Sequence, residues 1–103
     1  HNSGHWTIEG ARTSQFENHV RAVMGLPLGD ATAIEPSAMV NCIGAMPASA
    51  DVLRIADAHY HDYGKEPRRG RKVGHLTVRA HDEATLLERV AALEALLPPE
   101  PAD

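Results

Sequence analysis

Apolar residues recur at two different spacings along the chain, and each spacing predicts a different secondary structure. Residues 14–24 carry apolar side chains at helical intervals, and Ser14 lies three positions before Glu17, as in a capping box. Residues 83–97 repeat the helical interval after Asp82, a favourable N-cap residue. Two helices are therefore predicted. Their apolar faces comprise Phe16, Val20, Val23 and Met24 in the first, and Leu86, Val90, Leu93 and Leu97 in the second.

Three shorter segments have the pattern of β-strands. Residues 37–43 form an apolar run around Cys42 that ends at Gly44, which predicts a strand largely buried on both faces. Residues 58–63 and 73–79 alternate between polar and apolar positions, and we expect these two strands to pair through the segment that joins them. The alternation places His59, His61 and Tyr63 on one face of the second strand, and Val73, His75, Thr77 and Arg79 on one face of the third.

These elements predict an α+β fold with a short antiparallel sheet. With one Trp, two Tyr and one Phe, the core of a 103-residue chain must come from smaller apolar side chains. A turn-rich segment at 26–30 marks a boundary between two structural units. No apolar stretch in the sequence is long enough to cross a bilayer, and Cys42 has no partner for an internal disulfide. We therefore predict a cytoplasmic protein.

Positive charge is concentrated between the second and third strands. Residues 65–72 hold five basic residues and one acid, a net charge of +4, whereas the whole chain carries −4. Gly64 and Gly70 give this segment backbone freedom, and its arginines offer forked donors that suit phosphate oxygens. Composition alone leaves two interpretations open, a phosphate-binding loop or a hairpin tip kept soluble by its charge. The basic residues are Lys65, Arg68, Arg69, Arg71 and Lys72.

The seven histidines raise the question of a metal site. His1 and His5 have the spacing of one helical turn, but Gly4 weakens a helix there, and His59 and His61 share a predicted strand face. Neither pair is accompanied by a Cys-x-x-Cys or His-Glu-x-x-His motif. We therefore predict no metal site in this chain, and the apolar neighbours of the single cysteine predict a core residue rather than a nucleophile.

Short motifs along residues 1–79 identify a family when they are taken together. Their order and spacing resemble the C-terminal part of the 5-(carboxyamino)imidazole ribonucleotide synthases, which are ATP-grasp enzymes. No single motif is specific, but the ordered combination is. The motifs are HNSGHWT at 1–7, TSQFE at 13–17, HVR at 19–21, GLPL at 25–28, MVN at 39–41, and YGK at 63–65 leading to GRKVGH at 70–75.

The resemblance implies an activity for the full-length protein. Members of the family join bicarbonate to 5-aminoimidazole ribonucleotide in de novo purine biosynthesis and cleave ATP to ADP and phosphate, which implies a carboxyphosphate intermediate. ATP and Mg²⁺ would be held by residues upstream of His1, so we expect this chain to bind neither and to be inactive alone. The family commonly forms homodimers, and no nucleic acid or membrane is implied as a partner.

The resemblance also implies a division of the chain. It places residues 1–26 at the end of the ATP-grasp domain, 27–35 in a linker, 36–97 in a small C-terminal domain and 98–103 in a disordered tail. The alternative is a small module that uses the basic hairpin 64–75 to bind anions or RNA. Few aromatic side chains lie near that hairpin for base stacking, and the remainder of the chain carries −8, which disfavours a long polyanion.

Two groups of site residues follow from the resemblance. The first group borders the position where bicarbonate is activated, and its side chains can hydrogen-bond an oxyanion. The second group faces the phosphate of the ribonucleotide. Arg69 stands where members of the family often have Pro, so we expect it to face solvent. The first group is His1, Asn2 and Ser3, and the second is Lys65, Arg68, Arg71, Lys72 and His75.

Overall fold

A sheet of three antiparallel strands organises the molecule. The computed structural model describes residues 1–102. The strands are β1 (Ser37–Ile43), β2 (Ala58–Asp62) and β3 (Lys72–Arg79), and the helices are α1 (Thr7–Gly10), α2 (Gln15–Val23), α3 (Ser49–Leu53) and α4 (Glu83–Leu96). Their order in the sheet is β1-β3-β2, and the basic segment joins β2 to β3. The α+β class and the antiparallel pairing of β2 with β3 are confirmed.

Strand β1 lies at an edge of the sheet and is buried on one face only, so the prediction that it is largely buried on both faces is wrong. Val40 and Cys42 are buried, whereas Met39 and Asn41 on the opposite face stay partly exposed. The strand with both faces covered is β3, because it has a neighbour on each side and helices above and below. The apolar run thus predicts a strand correctly but not its position in the sheet.

One face of the sheet packs against α3 and α4 and forms the hydrophobic core. Leu76 and Val78 of β3 are fully buried in the same cluster as Leu93 of α4. The pairing of β1 with β3 contains an irregularity at which Val73 is the extra residue, and its side chain joins this core. Strict alternation predicts Val73 on the face of His75, and the bulge is the reason why that prediction is wrong.

Helices α2 and α4 begin at the predicted capping residues. The side chains of Ser14 and Asp82 each accept a hydrogen bond from a backbone N–H three residues further on. The apolar stripe of α4 packs on the core, with Leu93 fully buried. Within the described residues, no helix is both long and apolar enough to cross a bilayer. The apolar face of α2 is largely uncovered, since more than half of the surface of Val20, Val23 and Met24 is exposed.

Residues 1–11 cover the other face of the sheet. They form a 3-10 turn at Asn2–Gly4 and the short helix α1, which packs on β3. These turns are too short to show a periodic apolar face, so the sequence does not predict them. Ala11 pairs with Ala33 in an isolated antiparallel bridge, which ties the end of this segment to the linker. The division into an N-terminal part and a small C-terminal domain stays a prediction.

The chain after α4 returns to the basic segment without forming a further helix or strand up to residue 102. There the Glu100 carboxylate accepts a hydrogen bond from the Gly70 N–H at 3.1 Å. Glu100 and Pro101 also lie against Gly44, where an added Cβ would come within 2.9 Å of the Glu100 side chain. The predicted disorder of residues 98–103 stays a prediction, and Asp103 lies outside the described residues.

Candidate functional site

Polar side chains collect on the face of the sheet that residues 1–11 cover. The register of β2 and β3 sets His61 directly opposite His75 on this face, as the alternation predicts. Helix α1 and the turn before it then place further polar groups above the two strands. We call the resulting set, His5, Glu9, His61, Tyr63, Lys72 and His75, the polar cluster.

Three imidazole rings stack at the centre of the polar cluster. The ring of His75 lies between those of His5 and His61, with 4.4 Å between ring centroids on each side. The plane of the His75 ring is inclined by 5° to that of His5 and by 17° to that of His61. The middle ring is only 2% exposed. Such a stack excludes water from the central imidazole, because both of its faces are covered by other rings.

Burial keeps the central histidine neutral. Burial is the largest cause, and together with the charges of His61, His5 and Lys72 it lowers the pKa of His75 from 6.5 to about 4, against a smaller opposing effect of the Glu9 carboxylate. Burial, followed by the positive charge of Lys72, also lowers the pKa of His5. At neutral pH the centre of the stack therefore carries no charge, and the neighbouring ammonium groups are not repelled by it.

Glu9 joins α1 to the polar face of the sheet. Its carboxylate accepts hydrogen bonds from His61 Nε2 at 2.9 and 3.0 Å and from the Thr77 hydroxyl. The side chain is 13% exposed, so these bonds replace most of its contact with water. Two buried polar atoms nearby, His75 Nε2 and Asn41 Oδ1, have no hydrogen-bond partner among residues 1–102, although their residues are directly opposed in the sheet.

Lys72 connects the basic segment to the beginning of the chain. Its ammonium donates hydrogen bonds to Asn2 Oδ1 and, at 3.2 Å, to His5 Nδ1. Burial and the charge of Lys65 lower the pKa of Lys72, but the group keeps its positive charge at neutral pH. A single cation thus touches the His-Asn-Ser-Gly-His motif, which the sequence separates from it by 70 positions.

The rest of the basic segment is shaped by backbone hydrogen bonds to the end of β1. The Arg68 N–H donates to the Gly44 carbonyl at 2.8 Å, and the Gly44 N–H donates to the Arg71 carbonyl at 2.7 Å. Gly64 and Gly70 adopt φ angles of 73° and 76°, which other residues rarely tolerate. The arginines line a shallow pocket of about 360 Å³, made by Arg68, Arg69, Gly70 and Arg71.

The structure brings together some of the predicted site residues and separates others. Asn2 and Lys72 are in contact, and the ammonium groups of Lys65 and Lys72 both lie near the Tyr63 ring, at 5.7 and 5.6 Å from its centroid. His1 packs edge-on against His5, with ring centroids 5.7 Å apart. The remaining predictions fall elsewhere: Ser3 lies exposed in the first turn, Arg68 and Arg71 line the arginine pocket, and His75 is buried.

The sequence did not place four members of the polar cluster among the predicted site residues, namely His5, Glu9, His61 and Tyr63. For His61 and Tyr63 a usable signal exists, because the alternation of β2 puts both on the same face. For Glu9 no signal exists, since its partner His61 is 52 positions away and nothing local marks the pairing.

The histidines form no metal site in the part of the chain that the structure describes. No group of three or more His, Cys, Asp or Glu side chains is arranged there to hold an ion. His61 directs Nε2 to a carboxylate already shared with Thr77. Cys42 is a buried free thiol whose pKa is raised to about 11 by burial, in agreement with its prediction as a core residue.

The fold and the polar cluster define a small α+β domain with a cationic loop beside a buried histidine stack. A sequence model of the family described as phosphoribosylaminoimidazole carboxylase C-terminal domain matches residues 37–89. The matched range contains all three strands and the first half of α4. The chain therefore belongs to this family.

Curated relatives extend the match beyond that range. The N5-carboxyaminoimidazole ribonucleotide synthase of Pseudomonas aeruginosa is 61% identical over 97 residues, which are 94% of this chain and 27% of the relative. The synthase of the same name from Vibrio cholerae is 47% identical over 97 residues, covering 94% of this chain and 26% of the relative. The chain spans about a quarter of the length of these relatives. The resemblance to the C-terminal part of such synthases is confirmed.

Solved structures show the same fold. The N5-carboxyaminoimidazole ribonucleotide synthetase of Thermus thermophilus matches all of this chain and 29% of its own, with 56% identity and a TM-score of 0.92. A synthase from Aspergillus clavatus, solved in complex with ADP and 5-aminoimidazole ribonucleotide, matches 93% of this chain and 28% of its own. That match has 37% identity and a TM-score of 0.83.

Proposed function

We propose that this chain is the C-terminal part of an ATP-dependent ligase that carboxylates 5-aminoimidazole ribonucleotide with bicarbonate in purine biosynthesis. One observation carries the proposal: the Lys72 ammonium bonds to Asn2 and His5. It joins the segment assigned to bicarbonate activation to the segment assigned to the substrate phosphate. A ligase needs these two reactants side by side, because holding them in the right geometry removes much of the entropic barrier.

The cations divide between a lysine pair and an arginine pocket. Lys65 and Lys72 share the Tyr63 ring beside the N-terminal motif, and we assign them to the substrate phosphate. Arg71 and Arg68 line the adjacent pocket, where their guanidinium groups can grip further phosphate oxygens in pairs. His75 is buried and neutral at pH 7, so its location favours support of the lysines over direct contact with a phosphate.

The N-terminal residues fit the handling of an oxyanion. Asn2 and Ser3 are exposed and carry hydrogen-bonding side chains, and His1 lies next to them. Lys72 touches this segment and can stabilise negative charge that develops on bicarbonate as its carbon is activated. These roles for His1, Asn2 and Ser3 are part of the proposal.

ATP and Mg²⁺ belong to the proposal for the full-length protein. Relatives have been solved with ADP, with ATP, and with ADP and 5-aminoimidazole ribonucleotide, which supports the use of ATP. On the family resemblance, we assign the magnesium ligands to parts of the full-length protein outside this chain. We further propose that the full-length protein is cytoplasmic and forms a homodimer, and that residues 27–35 are the linker between the end of the ATP-grasp domain and the small C-terminal domain.

The test measures both substrates in the full-length protein. Lys72→Ala and Arg71→Ala should each raise KM for the ribonucleotide about 10- to 100-fold, because each removes a charge-assisted bond to phosphate, while KM for ATP changes less than about twofold. The charge-matched control is Arg54→Ala, since Arg54 is exposed and, among residues 1–102, pairs only with Asp51. It should leave both constants unchanged.

The results that oppose the proposal are equally specific. Equal rises in KM for both substrates would remove the assignment of the basic segment to the ribonucleotide phosphate. Release of ADP by the 103-residue chain alone would contradict the assignment of the nucleotide site to the rest of the protein. Salt-sensitive binding of an arbitrary RNA by the wild-type chain, lost in Arg71→Ala, would favour the alternative module.

A further inference from the structure

Tyr63 occupies the junction between β2, the histidine stack and the basic segment. Its hydroxyl and His75 Nδ1 form a hydrogen bond of 2.7 Å, and the two rings meet at an angle of 61°. Burial raises the pKa of Tyr63, so the hydroxyl keeps its proton at neutral pH. Because His75 is held between two other rings, this bond anchors the tyrosine ring to a fixed part of the fold.

The same ring attracts two ammonium groups. The Lys65 Nζ lies 5.7 Å from the ring centroid and the Lys72 Nζ lies 5.6 Å from it. Both distances are within the range at which a cation is drawn to the electron-rich face of an aromatic ring. Two like charges repel each other, and a shared ring offsets part of that repulsion.

We propose that Tyr63 is a positioning residue that holds Lys65 and Lys72 together as a two-ammonium clamp for a phosphate monoester. The inference rests on the function proposed above and adds to it a residue that carries no charge and need not touch the substrate. The contacts that run from His75 through Tyr63 to the two lysines explain why a buried neutral histidine lies next to the proposed phosphate site.

Pre-organisation is the physical reason for such a clamp. Fixing a free lysine side chain on binding costs conformational entropy, which offsets much of the free energy gained from its contact with the ligand. Two unrestrained lysines therefore bind a phosphate weakly. Attraction to a fixed ring restricts both side chains before the ligand arrives. Only part of Tyr63 is buried, and it does not belong to the hydrophobic core, which distinguishes it from a residue that merely fills space.

The matched control is the other tyrosine of the same strand. Tyr60 faces the hydrophobic core and donates its hydroxyl to the Pro47 carbonyl at 2.9 Å. Tyr60→Phe removes a hydrogen-bonded, partly buried tyrosine hydroxyl, as Tyr63→Phe does, but the Tyr60 ring holds neither lysine. It therefore measures the general effect of losing such a group on the fold.

The first measurement is a comparison of KM and kcat in the full-length protein. Tyr63→Leu should raise KM for the ribonucleotide about 10-fold, and Tyr63→Phe, which keeps the ring but loses its anchor, about 3-fold. Tyr60→Phe should change KM less than 2-fold, and KM for ATP should stay constant in all three variants. Equal KM values for Tyr63→Leu and wild type would overturn the inference, as would equal losses in the Leu and Phe variants.

The second measurement does not depend on turnover. Inorganic phosphate is titrated into the full-length protein while the ammonium signals of Lys65 and Lys72 are followed by ¹⁵N NMR. Tyr63→Leu should weaken phosphate binding about 10-fold at both lysines, and Tyr63→Phe should keep most of it. Unchanged phosphate affinity in Tyr63→Leu would overturn the clamp even if the wild type is an active ligase. Loss of phosphate affinity in a protein that does not turn over the ribonucleotide would support the clamp and contradict the proposed function.

Discussion

The two faces of the sheet are built from the same strands but differ in what they bury. Toward α4, β3 presents Leu76 and Val78, which are fully enclosed by apolar side chains. Toward residues 1–11 it presents His75 and Thr77, which are equally buried but polar. The pleat of one strand therefore serves two purposes, because successive side chains point to opposite faces.

This contrast separates the part of the fold that supplies stability from the part that is arranged for chemistry. Burying apolar surface is favourable without further conditions, whereas burying an imidazole or a carboxylate is favourable only when its hydrogen bonds are made. On the polar face they are made only in part, since His75 Nε2 and Asn41 Oδ1 find no partner among the described residues. Incomplete satisfaction of that kind is more typical of a functional site than of a structural core.

The largest expected effect concerns the apolar face. Leu76→Ala removes a fully buried side chain at the centre of the sheet and leaves a cavity. We expect a loss of about 2–5 kcal/mol in the free energy of unfolding, measured by urea denaturation with circular dichroism. The control is Leu87→Ala on α4, whose side chain is 69% exposed. A loss for Leu76→Ala no larger than that of the control would contradict the assignment of stability to this face.

The second prediction uses pH to isolate the polar face. His75 has a pKa of 6.5 when unfolded and about 4 in the fold, so between these values the unfolded chain binds more protons. The stability that neutral His75 supports is present above about pH 6.5 and is lost as the pH falls toward 4. The whole shift corresponds to about 3 kcal/mol, and we expect about 2 kcal/mol to be lost between pH 7 and pH 4.5.

His75→Asn is the matched variant for that pH dependence. Asparagine keeps an acceptor near the Tyr63 hydroxyl but does not titrate, so the variant should lose about 2 kcal/mol less than the wild type over the same pH interval. The comparison uses urea unfolding at the two pH values, and a general weakening of the variant cancels from it. Identical pH dependence in both proteins would show that the buried stack is not what senses pH.

The third prediction tests the link between α1 and the polar face. Glu9→Gln keeps the shape of the side chain but removes the charge that receives hydrogen bonds from His61 and Thr77. We expect a loss of about 1–2 kcal/mol in urea unfolding, because bonds to a buried charged group contribute more than neutral ones. Glu17→Gln breaks an exposed pair with Arg21 and should cost less than about 0.5 kcal/mol. Equal losses would mean that Glu9 behaves as a surface residue.

Local signals were sufficient for much of the fold. The capping residues Ser14 and Asp82, the alternation of β2 and β3, and the helical stripe of α4 are all visible within windows of about fifteen residues or fewer. The pairing of β2 with β3 follows from their nearness in the chain. The placement of the His75 and Leu76 side chains on opposite faces of the sheet could also be predicted, because successive residues of a strand alternate between its faces.

Long-range arrangement could not be predicted in the same way. The bonds from Lys72 to Asn2 and from His61 to Glu9 join residues 70 and 52 positions apart. The sequence shows which side chains carry chemistry, but not that residues 1–11 lie over the sheet and bring them together. The bulge that turns Val73 toward the core is likewise invisible, because it depends on the register with β1.

The fourth and smallest effect is expected on phosphate affinity, at the contact between the tail after α4 and the basic segment. The tail that follows α4 places the Glu100 carboxylate on the Gly70 N–H, beside the arginine pocket. A phosphate oxygen that bound the Gly70 N–H at the edge of this pocket would have to displace the carboxylate. Glu100→Gln should therefore tighten the binding of inorganic phosphate, but only about twofold, because the contact is exposed to water.

The comparison needs a variant with the same change in net charge. Glu94→Gln alters an exposed residue of α4 and should leave the phosphate affinity unchanged, whereas a general electrostatic effect would move both variants equally. The difference between the two should shrink as salt is raised, since an exposed carboxylate acts through a screened field. If Glu100→Gln weakens phosphate binding instead, the tail stabilises the basic segment rather than competing with its ligand. The tail after α4 would then contribute to the site only by holding the segment in place.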